Sequence, residues 1–97
     1  MSNNNVTQIL EQRGNRYGTF QDNAFTSQSL KDIMRNTPNY NLGVLEMYHI
    51  EALEMIFHKI ARILNGDPNY DDSWVDIAGY AQLVVDALRS GAQTDGE

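Results

Sequence analysis

Residues 44–89 read VLEMYHIEALEMIFHKIARILNGDPNYDDSWVDIAGYAQLVVDALR, and this stretch decides the fold. In its first half Leu45, His49, Leu53, Ile56, Phe57, Ile60, Ile63 and Leu64 fall within about 120° of one another at 100° per residue. That period predicts a strong helix from about Val44 to Leu64. Asn65 and Gly66 end it, and Asp67-Pro68 makes a turn. Asp71 or Asp72 then caps a further helix through about Arg89, with Gly91 as its stop signal. Trp74, Ile77, Ala78, Ala81, Val84, Val85 and Leu88 form the apolar stripe of that helix. The connection is short, so the two helices are expected to form an antiparallel hairpin with Phe57, Ile60, Trp74 and Ile77 in its core.

Upstream the signals are weaker. Phe25, Leu30, Ile33 and Met34 give a modest stripe to a helix over Asn23–Asn36, capped by Asp22 and stopped by Pro38. Thr37–Gly43 reads as a polar turn region. A short first helix spans Val6–Arg13, and Gly14 is placed to end it in the left-handed conformation. An Arg-Tyr-Gly-aromatic loop follows over Asn15–Phe20. With no strand candidate the fold class is all-α: one domain over residues 1–97, four helices around a long antiparallel hairpin, with 1–5 and 92–97 expected to be disordered.

Composition narrows the function. The chain has 97 residues, 7 Lys plus Arg against 13 Asp plus Glu, a net charge of −6 and no cysteine. The acidic balance argues against a protein that coats duplex nucleic acid, and the missing cysteines remove thiolate metal sites and Cys nucleophiles. No apolar run is long enough to span a bilayer and residues 1–20 lack a secretory h-region, so a cytoplasmic location is expected.

Three polar constellations stand out. Glu51, Glu54, His58 and Arg62 share one ridge of the third helix, opposite its apolar stripe. Glu51-x-x-Glu54 is either a solvated face or a pair of carboxylates spaced to clamp a divalent cation. On the fourth helix Asp72, Asp76, Gly79, Tyr80 and Leu83 lie together opposite the Trp74 stripe. Gly79 there serves either close helix packing or a ligand. Arg13, Arg16, Lys31 and Arg35 concentrate positive charge before residue 40. Arg13-Gly14-Asn15-Arg16-Tyr17-Gly18 offers guanidinium groups for phosphate and an aromatic to stack on a base, or else it pins the loop to the acidic second half. His49, near the apolar edge, reads as a hydrogen-bonded core histidine. No nucleophile elbow, phosphate loop or dinucleotide fingerprint is present.

The run Lys59-Ile60-Ala61-Arg62-Ile63-Leu64-Asn65-Gly66-Asp67-Pro68-Asn69-Tyr70, with Asp72-Ser73-Trp74-Val75-Asp76-Ile77-Ala78-Gly79-Tyr80-Ala81 and the upstream Arg13–Phe20 segment, resembles a family of small uncharacterised phage and prophage proteins. The resemblance covers most of residues 6–89 and implies residence in a host cytoplasm. Helical Glu-x-x-Glu, a basic residue, then a helix with paired acids is more distantly similar to the MazG-type all-α nucleoside triphosphate pyrophosphohydrolases. That resemblance implies magnesium held by Glu51, Glu54, Asp72 and Asp76, with Lys59 or Arg62 neutralising phosphate charge and a metal-activated water attacking phosphorus. Apart from that resemblance, the residues themselves offer a nucleotide Arg13, Arg16 and Tyr17 of the basic loop, with Arg62, His58 and Tyr80. The family expects Glu-x-x-Asp, and Ser73 stands where that Glu belongs.

Three functions follow. One is a magnesium-dependent pyrophosphohydrolase. Another is a non-catalytic oligomer that sequesters a nucleotide, including a host-defence signal; a helical protein-interaction adaptor is a third. In a simple hairpin the two acidic faces would point apart, so they meet only if the helices cross steeply or a second subunit intervenes. The second face of the fourth helix, Gly79-Tyr80-Leu83, is expected to be covered by another copy.

Overall fold

The computed structural model describes the backbone of residues 2–95 and the side chains of residues 5–91. It has five helices and no strand among the described residues: α1 (Ser2–Tyr17), α2 (Phe20–Arg35), α3 (Pro38–Asn41), α4 (Met47–Asn65) and α5 (Asp71–Asp95). The all-α class and the hairpin, α4 with α5, are as the periodicity predicts.

The boundaries differ where local chemistry outweighs pattern. Gly14 does not end the first helix, which runs on to Tyr17. Gly18, at φ 83°, does that instead, its N–H bonding the Gly14 carbonyl at 2.9 Å. The cap of α2 is Thr19, not Asp22: the Thr19 hydroxyl accepts from the Asp22 N–H at 3.1 Å, a contact worth about 1 kcal/mol. The polar turn holds the short α3, with Pro38 at its first position. The third predicted helix starts at Met47 rather than Val44, because Glu46 and His49 close a capping box. The Glu46 N–H donates to His49 Nδ1 at 2.9 Å, so His49 is a cap and not a core histidine. Gly91 does not stop the last helix either. The backbone of residues 2–5 and 92–95 belongs to α1 and α5, and residues 1, 96 and 97 lie outside the described residues.

Three helices make a single layer. α4 is central, with α2 and α5 packed on its two flanks, and α1 touches mainly the C-terminal end of α4. The closest contacts fall on small side chains. Ala52 and Ala61 of α4, Ser27 of α2 and Ser73 of α5 are all buried, which lets the helix axes approach. α5 is consequently rolled away from the predicted orientation. Ser73, Asp76, Ile77, Tyr80 and Val84 turn toward α4, while Trp74, expected in the core, is 53% exposed. Its indole N–H donates to the Pro68 carbonyl at 2.9 Å. Phe57 and Ile60 are half-buried.

At 100° per residue this roll sorts the layer into two faces. One carries Lys31 and Arg35 of α2, Glu51, His58 and Arg62 of α4, and Asp72 and Asp76 of α5. The other carries Ile33, Leu53, Phe57, Ile60, Leu64, Trp74 and Leu88. The acidic edges of α4 and α5 therefore lie on the same side of the layer and do not point apart.

Candidate functional site

The polar face is anchored where α1 and α4 end against each other. Gly18 and Gly66 lie in backbone contact, and the Asp67 N–H donates to the Arg16 carbonyl at 2.9 Å. Asn65 fastens α2 to the same point: its Nδ2 lies 3.0 Å from Thr26 Oγ1, 3.3 Å from Asn23 Oδ1 and 3.0 Å from the Ala61 carbonyl. Asn23 in turn donates to the Tyr17 carbonyl at 2.7 Å. The Arg13–Gly18 and Asn65–Asp67 motifs thus meet as one joint.

Above the joint, aromatic and cationic side chains interleave. The Arg62 guanidinium sits 4.6 Å from the centre of the Tyr17 ring and that of Arg16 sits 5.1 Å from Tyr70. Tyr17 meets Tyr70 edge-on at 5.8 Å and donates its hydroxyl to Asp72 at 3.3 Å. Partial burial, and then the Asp72 carboxylate, push the Tyr17 pKa above its usual value of 10.0, so the phenol stays a donor. Arg16, Tyr17 and Asp72, singled out as ligand-binding residues, thereby have partners within the chain.

Beside this stack two hollows open on the polar face, of about 430 and 360 Å³. They share Phe20, Asn23 and Arg62. The first adds Arg13 and Tyr17; the second adds Ser27, Gln28 and His58. Phe20 is 86% exposed at the rim. His58 Nδ1 lies 3.3 Å from Ser27 Oγ, and Nε2 lies 3.4 Å from Lys31 Nζ. An ammonium can only donate, so Nε2 is the acceptor and Nδ1 carries the proton of a neutral ring. Desolvation first, then Lys31, Arg62 and Lys59, hold the His58 pKa below its usual 6.5. The chain is acidic overall, yet this wall of the cleft is positive.

The carboxylates are spread along the same face. Glu54 lies 3.9 Å from Arg35, and Asp76 pairs with Lys59 at 3.0 Å. Lys59 is only 12% exposed, and its nearness to Asp76 makes it a structural counter-ion. Glu51 lies instead by Tyr48, Ala52, Tyr80 and Leu83, in a small, mostly apolar hollow between α4 and α5. Asp72 belongs to the Tyr17 stack. Among the described residues no three His, Asp or Glu side chains gather where one ion could be held. Magnesium requires several oxygens in near-octahedral array. Ser73, at the position of the missing family carboxylate, is buried and supplies no ligand to the face. The residues present do not fit the metal. Among the described residues no atom lies within 4 Å of where a Cβ on Gly79 would stand, so none of the described helices packs on it.

Phe20, Ser27 and Asn65 belong to the site although the sequence reading gave them no ligand role. Phe20 closes the Arg-Tyr-Gly-aromatic loop and Asn65 reads as a helix stop; Ser27 carries no signal, because its place depends on how α2 meets α4. A family model described as a domain of unknown function (DUF6378) matches residues 3–87. No curated protein and no solved structure matches the chain.

Proposed function

We propose that this chain, which belongs to the DUF6378 family, is a nucleotide-binding protein whose ligand occupies the cleft between α1, α2 and α4. The observation that carries the reading is the position of Arg62. Held on the Tyr17 ring, it is a shared wall of two adjoining hollows, one reaching Arg13 and the other reaching His58. A ligand with one aromatic and one anionic end matches this arrangement. The base stacks on the exposed Phe20 ring, and phosphates meet Arg62 with Arg13 or Lys31. The size of the hollows suits such a ligand, since small-molecule sites enclose about 300–1,000 Å³.

Binding without hydrolysis is the better supported of the two nucleotide readings. Glu54 and Asp76 are each answered by a cation of the chain, and among the described residues no carboxylate cluster stands near the hollows. Sequestration of a nucleotide, in a phage or elsewhere, needs only the cleft. The test is incubation with a panel of nucleotides, with and without magnesium, followed by chromatography. Unchanged nucleotide should travel with the protein and cease to do so in Arg62→Ala. Nucleotide that is neither retained nor cleaved overturns the reading, and magnesium-dependent monophosphate replaces it with hydrolysis.

A further inference from the structure

The face of the layer opposite the cleft is apolar and uncovered. Ile33, Leu64 and Trp74, one from each helix, are 64%, 67% and 53% exposed, with Phe57 and Ile77 half-buried between them. The helical period puts no charged residue on this side over residues 53–64 of α4 or 74–88 of α5. Trp74 already spends its indole N–H on Pro68, so its ring can be buried with no polar group left unpaired.

From this we infer that the apolar face of the α2–α4–α5 layer is the seat of a second copy of the chain. Surface area makes the case. The accessible surface is 7218 Å², against about 5,600 Å² for a folded monomer of this mass. The excess, about 1,600 Å² over the whole chain with the weakly packed α1 included, is twice what a standard complex removes per partner, and covering the apolar face removes part of it. The only buried apolar side chains are Met34, Ala52 and Ala61 among the described residues, too few to make a core. A second copy suits the face because an isologous pair lays the same apolar patch, free of charge along α4 and α5, on itself. The polar faces of two chains of charge −6 then stay on the outside in water. Two layers of three helices give one core between them, with a cleft on each outer side. The pairing surface is not the Gly79-Tyr80-Leu83 side that the sequence suggested.

Light scattering should give about 22 kDa, twice the 11.0 kDa chain. Leu64→Lys and Ile33→Lys, each placing a charge in the seam, should return the mass to that of one chain. Gly79→Leu and Phe25→Lys, away from the face, should leave the dimer intact. Since a lysine there could also unfold the chain, the wild type supplies a second measurement. Trp74 is the only tryptophan, and its emission should move to the red on dilution as the pair dissociates. A wild-type monomer at about 100 µM, a dimer that survives both lysines, a dimer broken by Gly79→Leu, or an emission that ignores a measured dissociation overturns the inference.

Discussion

Gly66, at the end of α4, rests on the backbone that leaves α1: a Cβ on Gly66 would stand 2.7 Å from the Gly18 nitrogen, and one on Gly18 would stand 2.6 Å from the Asn65 carbonyl oxygen. Neither approach leaves room for a side chain, and Gly18 in addition adopts φ 83°. Gly14, inside α1, has nothing within 4 Å. Gly18→Ala and Gly66→Ala should therefore each destabilise the fold by about 2 kcal/mol or more. Gly14→Ala should stabilise it by about 0.5–1 kcal/mol, since a mid-helix glycine with open space where a Cβ would stand loses entropy with no packing in return. Urea denaturation of the three variants checks both signs.

The joint between Gly18 and Gly66 also shows how far the sequence could be read. The apolar period of residues 45–64 marks the central helix because that helix is contacted on two flanks and its stripe is long. The stripe of α5 misleads, because small residues such as Ser73 and Ala52 set the approach of the helices and the bulky Trp74 is left on the shoulder. Spacing cannot register that roll. The Arg-Gly-Asn-Arg-Tyr-Gly and Asn-Gly-Asp segments are conspicuous as motifs, but only the fold shows that they are two halves of one contact. Arg62 was legible as a candidate phosphate ligand from its type and ridge. Its neighbours Phe20 and Ser27 were not, because they come from the antiparallel α2, whose register on α4 no local pattern encodes.

The neutral His58 gives the contact between α2 and α4 a pH dependence. Its folded pKa lies below the ordinary 6.5, so the unfolded chain binds the proton more readily. The contribution is fully present above about pH 6.5 and is lost as pH falls through the folded value. Protonation turns Nε2 into a donor facing Lys31 Nζ, 3.4 Å away. Wild type should thus lose stability on going from about pH 7.5 to about pH 5 more steeply than His58→Gln. Parallel slopes in thermal scans of the two proteins would falsify the assignment.

The two ion pairs of the polar face should differ in weight. Lys59 and Asp76 meet at 3.0 Å with the Lys59 side chain 12% exposed, whereas Arg35 and Glu54 lie 3.9 Å apart with the Arg35 side chain 46% exposed. Asp76→Ala strands a nearly buried cation and should cost about 1–3 kcal/mol. Glu54→Ala should cost less than about 1 kcal/mol. Because neither carboxylate belongs to an ion-binding cluster, magnesium should leave the melting temperature of wild type and both variants unchanged. A rise with the logarithm of magnesium concentration in wild type alone would restore the metal to this face.

Phe20 and Arg62 divide the proposed ligand between them, and calorimetric titration can separate their shares. Phe20 is 86% exposed and does little for the fold, so Phe20→Ala should change stability by less than about 0.5 kcal/mol. If a base stacks on its ring, that loss is worth about 1–3 kcal/mol, or about 5- to 150-fold in Kd. The factor should be similar for a nucleoside triphosphate and its monophosphate, since stacking does not see the phosphates. Arg62 acts at the other end. Arg62→Gln removes the cation above Tyr17 and one wall of both hollows, and it should weaken the triphosphate more than the monophosphate. Added salt should narrow that difference, because charge attraction is screened and stacking is not. Inorganic triphosphate should compete only weakly, and Phe20→Ala should leave its affinity alone. A wild type that holds inorganic triphosphate as tightly as a nucleotide, with Phe20→Ala silent toward both, would reduce the cleft to a bare anion site.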